Sequence, residues 1–133
     1  MSKIIVAESA GFCFGVNRAI NILYKLIDEN KPACTLGPII HNMQMVNELR
    51  EKGVRTIDKI SEAKENETIV IRSHGVPQSI VDEINERHLD YIDATCPFVS
   101  KIHKIVSETD DDSIVIIAGD KNHPEVQGIM GHC

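Results

Sequence analysis

The chain has no tryptophan, few aromatic residues of any kind and no long apolar run. Its longest runs, such as Ile114 to Ala118, fall far short of the roughly 18 residues of a membrane span. The opening MSKIIVAES has neither a secretory h-region nor an Arg-rich transit composition, so a cytoplasmic protein with no membrane partner is expected. Excess positive charge is lacking too: 14 Lys and Arg stand against 20 Asp and Glu, for a net charge of -6. Nucleic-acid binding normally shows as a basic face, so none is expected from this segment, and any anionic ligand must be held by a local site. There is no C-x-x-C pair among the cysteines at 13, 34, 96 and 133, which excludes zinc-ribbon and ferredoxin-type spacings. A cytosolic chain of this size does not rely on disulfides. Low-complexity segments are also absent, and 133 residues suffice to bury roughly two-thirds of the unfolded surface around one core.

What is there alternates. Ile4–Ala7, Ala33–Leu36, Thr68–Ile71, Tyr91–Ile92 and Ile114–Ala118 are short runs rich in Val and Ile that read as strands. Between them Val16, Ala19, Ile20, Leu23 and Ile27 recur at helical spacing, as do Ile80, Val81 and Ile84, then Val99, Ile102, Ile105 and Val106. Strands apolar throughout, with helices between them, predict an α/β fold: a parallel sheet with flanking helices and right-handed crossovers. Cys34, inside the apolar ACTL, reads as core filler. The acidic stretch Glu62 to Glu67 and the run Asp110 to Asp112 read as solvated turns, the latter a candidate boundary between sub-units.

The segments that follow the strands carry the chemistry: AGFCFGV, GPIIHN, RSHGVP, DATCPF and GDKNHPEV. Each holds a Cys or a His where a strand hands over to a helix, and in open α/β sheets ligands bind outside the carboxyl ends of the strands. Cys13, His41, His74, Cys96 and His123 with Glu125 are therefore expected to converge on one crevice. His88, His103 and His132 have no such placement and read as surface or packing residues. Gly11 and Gly15 would let backbone approach an inorganic partner, and N–H groups at the helix start near Gly15 would favour a thiolate. Phe12 and Phe14 would keep water from a reducible centre. Pro97 suits the first position of a helix and puts the Cys96 thiol at that helix's N-terminus.

In sequence GFCFGV, HNMQMV, RSHGVP, DATCPFV and NHPEVQG resemble the successive motifs of the LytB/IspH family of 4-hydroxy-3-methylbut-2-enyl diphosphate reductases, and the resemblance runs from end to end of the chain. It implies the first unit of a multi-unit α/β reductase, residues 1–96 with the cluster and substrate loops, and in residues 97–133 the start of a second unit. The family reduces an allylic alcohol diphosphate by two electrons and two protons, giving isopentenyl and dimethylallyl diphosphates and water in the methylerythritol phosphate route to isoprenoids. Cys13 and Cys96 match two of the three cysteines of a [4Fe-4S] cluster whose fourth iron takes the substrate hydroxyl as a Lewis acid. His41, His74 and His123 match substrate-binding residues, and Glu125 matches the proton donor. The third cysteine, a threonine and a Ser-x-Asn motif are expected beyond residue 133, so the segment alone is expected to be inactive; Cys133 follows the HPEV motif too closely to stand in. Asn122 and Gln127 are small departures from the family pattern. The resemblance further implies an electron donor such as a ferredoxin or flavodoxin. A non-catalytic α/β module binding a metal ion or an anionic metabolite is the alternative from another class; an RNA-associated role would rest only on relatives fused to RNA-binding repeats.

Overall fold

The computed structural model of the chain describes residues 3–133. Helix α1, Phe14–Asp28, begins at Cys13 in extended backbone and buries Ala19, Ile20, Leu23 and Leu26 along one face. It is followed by strand β1 (Ala33–Leu36), helix α2 (Met43–Glu51), strand β2 (Arg55–Ile57), a single 3₁₀ turn at Ile60–Glu62 and strand β3 (Thr68–Ile71). Helix α3 (Gln78–Glu86), strand β4 (Tyr91–Asp93), helix α4 (Pro97–Ser107) and helix α5 (Pro124–Met130) complete the order.

The four strands form one parallel sheet in the order β2-β1-β3-β4. Both faces of the central strands β1 and β3 are covered, which is why their sequences do not alternate. On one face Ala33, Val70 and Ala94 pack with α1 and with Ile39, Ile40, Leu49 and Val54. On the other, Cys34, Leu36, Ile57, Ile69 and Ile71 pack with Val76 and with Ile84 of α3. Full burial of a side chain the size of Leu23 or Ile57 is worth about 1.5–3 kcal/mol, so these two layers set the fold. Cys34 is fully buried, and burial, with the Glu67 carboxylate nearby, pushes its thiol up to about 11: it is a core residue, as its sequence context predicts.

The connections from β1 and β3 run in opposite directions. The chain leaves β1 through α2 to pair β2 on one side, and leaves β3 through α3 to pair β4 on the other. The carboxyl ends of β1 and β3 thus flank a topological switch point, where open α/β sheets bind ligands.

Three expectations need correction. Ile4–Ala7 and Ile114–Ala118 are not strands: Ile4, Ile5 and Val6 are 89, 77 and 75% exposed, Ile114 and Ile116 are 89 and 88% exposed, and none pairs with a strand among the described residues. A strand needs a neighbour to satisfy its backbone, and local composition cannot supply one. Conversely, α2 and β2 are elements that apolar periodicity did not single out. Glu67 is no solvated turn residue: it is 5% exposed, accepts from Arg55 Nη1 at 2.8 and 2.6 Å and from the Lys64 backbone N–H at 3.0 Å. Burial raises the Glu67 carboxyl, and these donors outweigh it and hold the group below the ordinary carboxylate range. Asp110, Asp111 and Asp112 are exposed, as expected.

Candidate active site

His41 and His74 stand in the two loops at the switch point, and α5 brings His123 to them. Their ring centroids form a triangle: His41 to His74 is 5.1 Å, His74 to His123 is 5.8 Å and His41 to His123 is 6.5 Å. Asn42, immediately after His41, caps α2 by accepting from the Met45 N–H at 3.0 Å, which fixes where His41 leaves the loop. The Gly75 N–H turns back onto the Arg72 carbonyl, and its φ of +73° is one that glycine alone adopts freely. His123 is the N-cap of α5: its Nδ1 accepts from the Glu125 N–H at 3.2 Å. In the neutral ring the proton therefore sits on Nε2, which is left as a donor. The Gln127 side chain donates to the Lys121 carbonyl, so that departure from the family pattern helps to shape this turn; at Asn122 it is the backbone N–H that donates, to Asp120, as any residue but proline would.

His74 is half-buried and its Nδ1 has no partner. Burial lowers its pKa, His41, Arg72 and His123 lower it further, and Glu125 opposes them. The ring is neutral at pH 7, in a place where a bound anion would draw a proton onto it. Arg72 is the cation that sequence reasoning missed, although it directly precedes the SHG motif. Its Nε is buried without a partner, burial lowers its pKa, and a Cβ on Gly37 would fall 2.7 Å from its Nη1.

Cys13 and Cys96 are the N-cap residues of α1 and α4, and neither side chain makes a capping hydrogen bond. Gly15, two residues after Cys13, lies against Cys96: a Cβ there would fall 2.7 Å from Cys96 Sγ and 2.9 Å from its Cβ. Only a glycine in the first turn of α1 lets the two thiol-bearing turns meet. A second residue not foreseen from sequence, Arg18, locks the contact by donating to the carbonyls of Thr95 and Asp93, each at 3.2 Å. The Cys96 N–H donates to the Ser73 carbonyl at 2.9 Å, tying the cysteine turn to the His74 loop. The expected water-excluding role of the phenylalanines is not met among the described residues: Phe12 and Phe14 are 38 and 65% exposed, because the inner face of α1 is taken by its aliphatic residues. Cys133 is exposed, and no group of three His, Cys, Asp or Glu side chains among the described residues is placed to hold a metal ion.

The sequence pattern described as LytB protein matches residues 4–133. The chain belongs to this family. It is 42% identical over 134 residues to 4-hydroxy-3-methylbut-2-enyl diphosphate reductase of Alkaliphilus oremlandii and 45% identical over 133 residues to that of Clostridioides difficile, covering 98% of the present chain and 48% of each relative. Among solved structures, one of (E)-4-hydroxy-3-methyl-but-2-enyl diphosphate reductase, the terminal enzyme of the non-mevalonate pathway, matches with a TM-score of 0.83 and 45% identity over 99% of this chain and 47% of that one. The Plasmodium falciparum reductase matches with a TM-score of 0.88 and 29% identity over 94% of this chain and 40% of that one. The chain thus spans about half the length of the relatives it matches. Like the solved members, it is an α/β protein, and no described helix is long and apolar enough to cross a membrane.

Proposed function

We propose that the chain provides the cluster and diphosphate loops of a reductase that converts 4-hydroxy-3-methylbut-2-enyl diphosphate to isopentenyl and dimethylallyl diphosphate. The observation that carries this reading is the triangle of His41, His74 and His123 at the switch point, next to the turn that holds Cys96. Three imidazoles and a guanidinium whose Nε is buried without a partner among the described residues suit an anionic group, and in a chain of net charge -6 such a site is a local exception. His123 Nε2–H would donate to a phosphoryl oxygen while Nδ1 stays engaged by the helix start. His74, neutral when free, would bind the diphosphate with uptake of a proton.

Cys13 and Cys96 would hold a [4Fe-4S] cluster, with the third cysteine coming from outside residues 1–133. Their placement at two uncapped helix starts, in contact through Gly15, suits two thiolate ligands. When bound, the cluster supplies electrons and Lewis acidity at the allylic C–O bond, and a ferredoxin or flavodoxin would recharge it. Glu125 is half-buried in the first turn of α5, near enough to influence His74, and would hold the proton that leaves with the hydroxyl as water. Residues 1–96 would form one α/β unit, whose last strand ends at Asp93, and residues 97–133 the start of a second.

The test is Glu125→Gln in the full-length natural protein containing this chain. Substrate affinity and cluster content should persist while single-turnover reduction falls by roughly 10²-fold or more, the usual contribution of a positioned acid. If Glu125 only favours the dipole of its helix, the change costs at most about 1 kcal/mol of stability and leaves the rate intact. Near wild-type turnover would rule out the proton-donor role.

A further inference from the structure

His103, which its sequence context assigns to packing, sits at the junction of three site-bearing elements. It is 8% exposed, and its ring stacks on His132 with centroids 4.2 Å apart and planes inclined by 26°. A Cβ on Gly75, the residue after His74, would fall 2.5 Å from His103 Cε1. One on Gly128, in the middle of α5, would fall 3.2 Å from His103 Nε2 and 3.4 Å from the His74 carbonyl oxygen. The imidazole therefore fills the space between two glycines, one in the His74 loop and one in the helix that begins at His123. The same seam is fastened beyond the ring. A His132 ring nitrogen lies 3.1 Å from the Val76 carbonyl, the Gln78 N–H donates to the Gly131 carbonyl at 3.3 Å, and Gly131 abuts Pro77.

A residue chosen only to fill this space would be aliphatic, because His103 Nε2 is buried without a partner and an unpaired buried nitrogen is costly. What imidazole adds is a flat ring thin enough to stand between two backbones and to stack on a second ring. Burial first, then His132, lowers the His103 pKa against the opposing influence of Asp93 and Glu125, so the ring that packs here is neutral near pH 7.

We propose that His103 is a positioning residue for the reaction: its ring sets the spacing between the His74 loop and α5, and through it the relative placement of His74, His123 and Glu125. The proposal rests on the reductase reading for its consequence in catalysis, while its geometric part is independent of that reading. Interiors are close-packed and relax only in part when a side chain is removed, so the gap left by a smaller residue would be taken up by movement of α5 against the loop.

The test uses the full-length natural protein. His103→Ala should raise KM for the allylic diphosphate by tenfold or more and lower kcat several-fold, with iron content unchanged because the Cys13–Gly15–Cys96 contact lies elsewhere. His103→Phe, which restores a flat ring, should stay within about threefold of wild type. Gly128→Ala should raise KM a few-fold in the wild-type background and add less in the His103→Ala background, where the ring that the new methyl would press on is gone and only the His74 carbonyl oxygen remains, at ordinary contact distance; such coupling is expected only if ring and glycine share one gap. Inorganic pyrophosphate binding, followed by the ring ¹⁵N resonances of His74 and His123, should weaken in parallel with KM. A His103→Ala protein of lower Tm but unchanged KM, kcat and pyrophosphate affinity well below its Tm would overturn the proposal, as would Gly128→Ala effects that simply add. If the wild-type protein binds pyrophosphate but shows no reduction, the reductase reading fails alone and pyrophosphate affinity decides the role of His103.

Discussion

Replacing Gly15 by alanine separates a helix-propensity effect from a site effect. In an ordinary first turn the change would favour the helix by up to about 1 kcal/mol. Here the new Cβ would lie 2.7 Å from Cys96 Sγ and 2.9 Å from Cys96 Cβ, where ordinary contact begins at 3.4 Å. The cysteine, or the start of α1, must yield by about 0.7 Å, and overpacking of this kind costs about 1–3 kcal/mol. The net loss is no more than about 3 kcal/mol, or a fall in Tm of roughly 11 °C for a chain of this length and less in the longer natural protein. Metal–ligand distances, by contrast, tolerate only about 0.2 Å. Gly15→Ala is therefore expected to fold and still to lose most of its iron. The assay is iron and sulfide per chain after anaerobic reconstitution of the full-length protein, beside a thermal melt of the same preparation. Full iron content with a raised Tm would show that Gly15 makes no room for Cys96, and the reasoning that joins Cys13 to Cys96 would fall.

Two further outcomes follow from the same geometry. Cys13→Ser or Cys96→Ser in the full-length protein should abolish the cluster absorption, because a hydroxyl replaces a soft thiolate poorly on iron, whereas Cys34→Ser should leave it intact; loss of iron with Cys34→Ser but not with Cys13→Ser would sink the assignment. The lowered pKa of His74 fixes the sign of a pH dependence: the free site lacks a proton that a bound anion draws in, so affinity for methanedisulfonate, whose charge is constant over this range, should rise as pH falls from 8 to 6, by up to about tenfold per unit for each proton taken up. Calorimetry in buffers of different ionisation heat reads that uptake, and an affinity that is flat or falls with acid would refute the coupling.

The parts of the fold that a sequence discloses are those fixed by local chemistry. Ala33–Leu36 and Thr68–Ile71 read as strands because the sheet buries both their faces, and the five motif segments could be located because a Cys or His beside Gly or Pro marks the end of an element. What sequence did not disclose depends on pairing. Arg55–Ile57 is three residues with an exposed Thr56 at its centre and becomes a strand only because β1 offers an edge. Ile4–Val6 and Ile114–Ile116 have strand composition and no such edge among the described residues. Glu67 reads as surface until Arg55 is placed opposite it, and His103 reads as an ordinary helical residue until Gly75 and Gly128 close around it. The convergence of His41 and His74 was legible because each follows a strand at the same end of the sheet; His123 was expected there through Ile114–Ala118, which is no strand, and α5 brings it instead, while Arg18 and Arg72 were not legible, since the segments they lie against are far away in sequence.

The helix starts at the two cysteines lack the side-chain caps found at α2 and α5, as does α3, which begins at Pro77. Helix α2 is capped conventionally, with Asn42 accepting from the Met45 N–H, and α5 by His123 accepting from the Glu125 N–H. Helices α1 and α4, the two longest, begin at Cys13 and Cys96 with no side-chain cap at all. A Ser, Thr, Asp or Asn at either position would contribute about 1 kcal/mol, so folding alone gives no reason for cysteine there. Each cysteine stands at the positive end of a helix, where free N–H groups remain as donors. The stability forgone at these two helix starts, with Gly15 making room for Cys96, has no source in the packing of the sheet, and it is what the cluster-holding role proposed for Cys13 and Cys96 would account for.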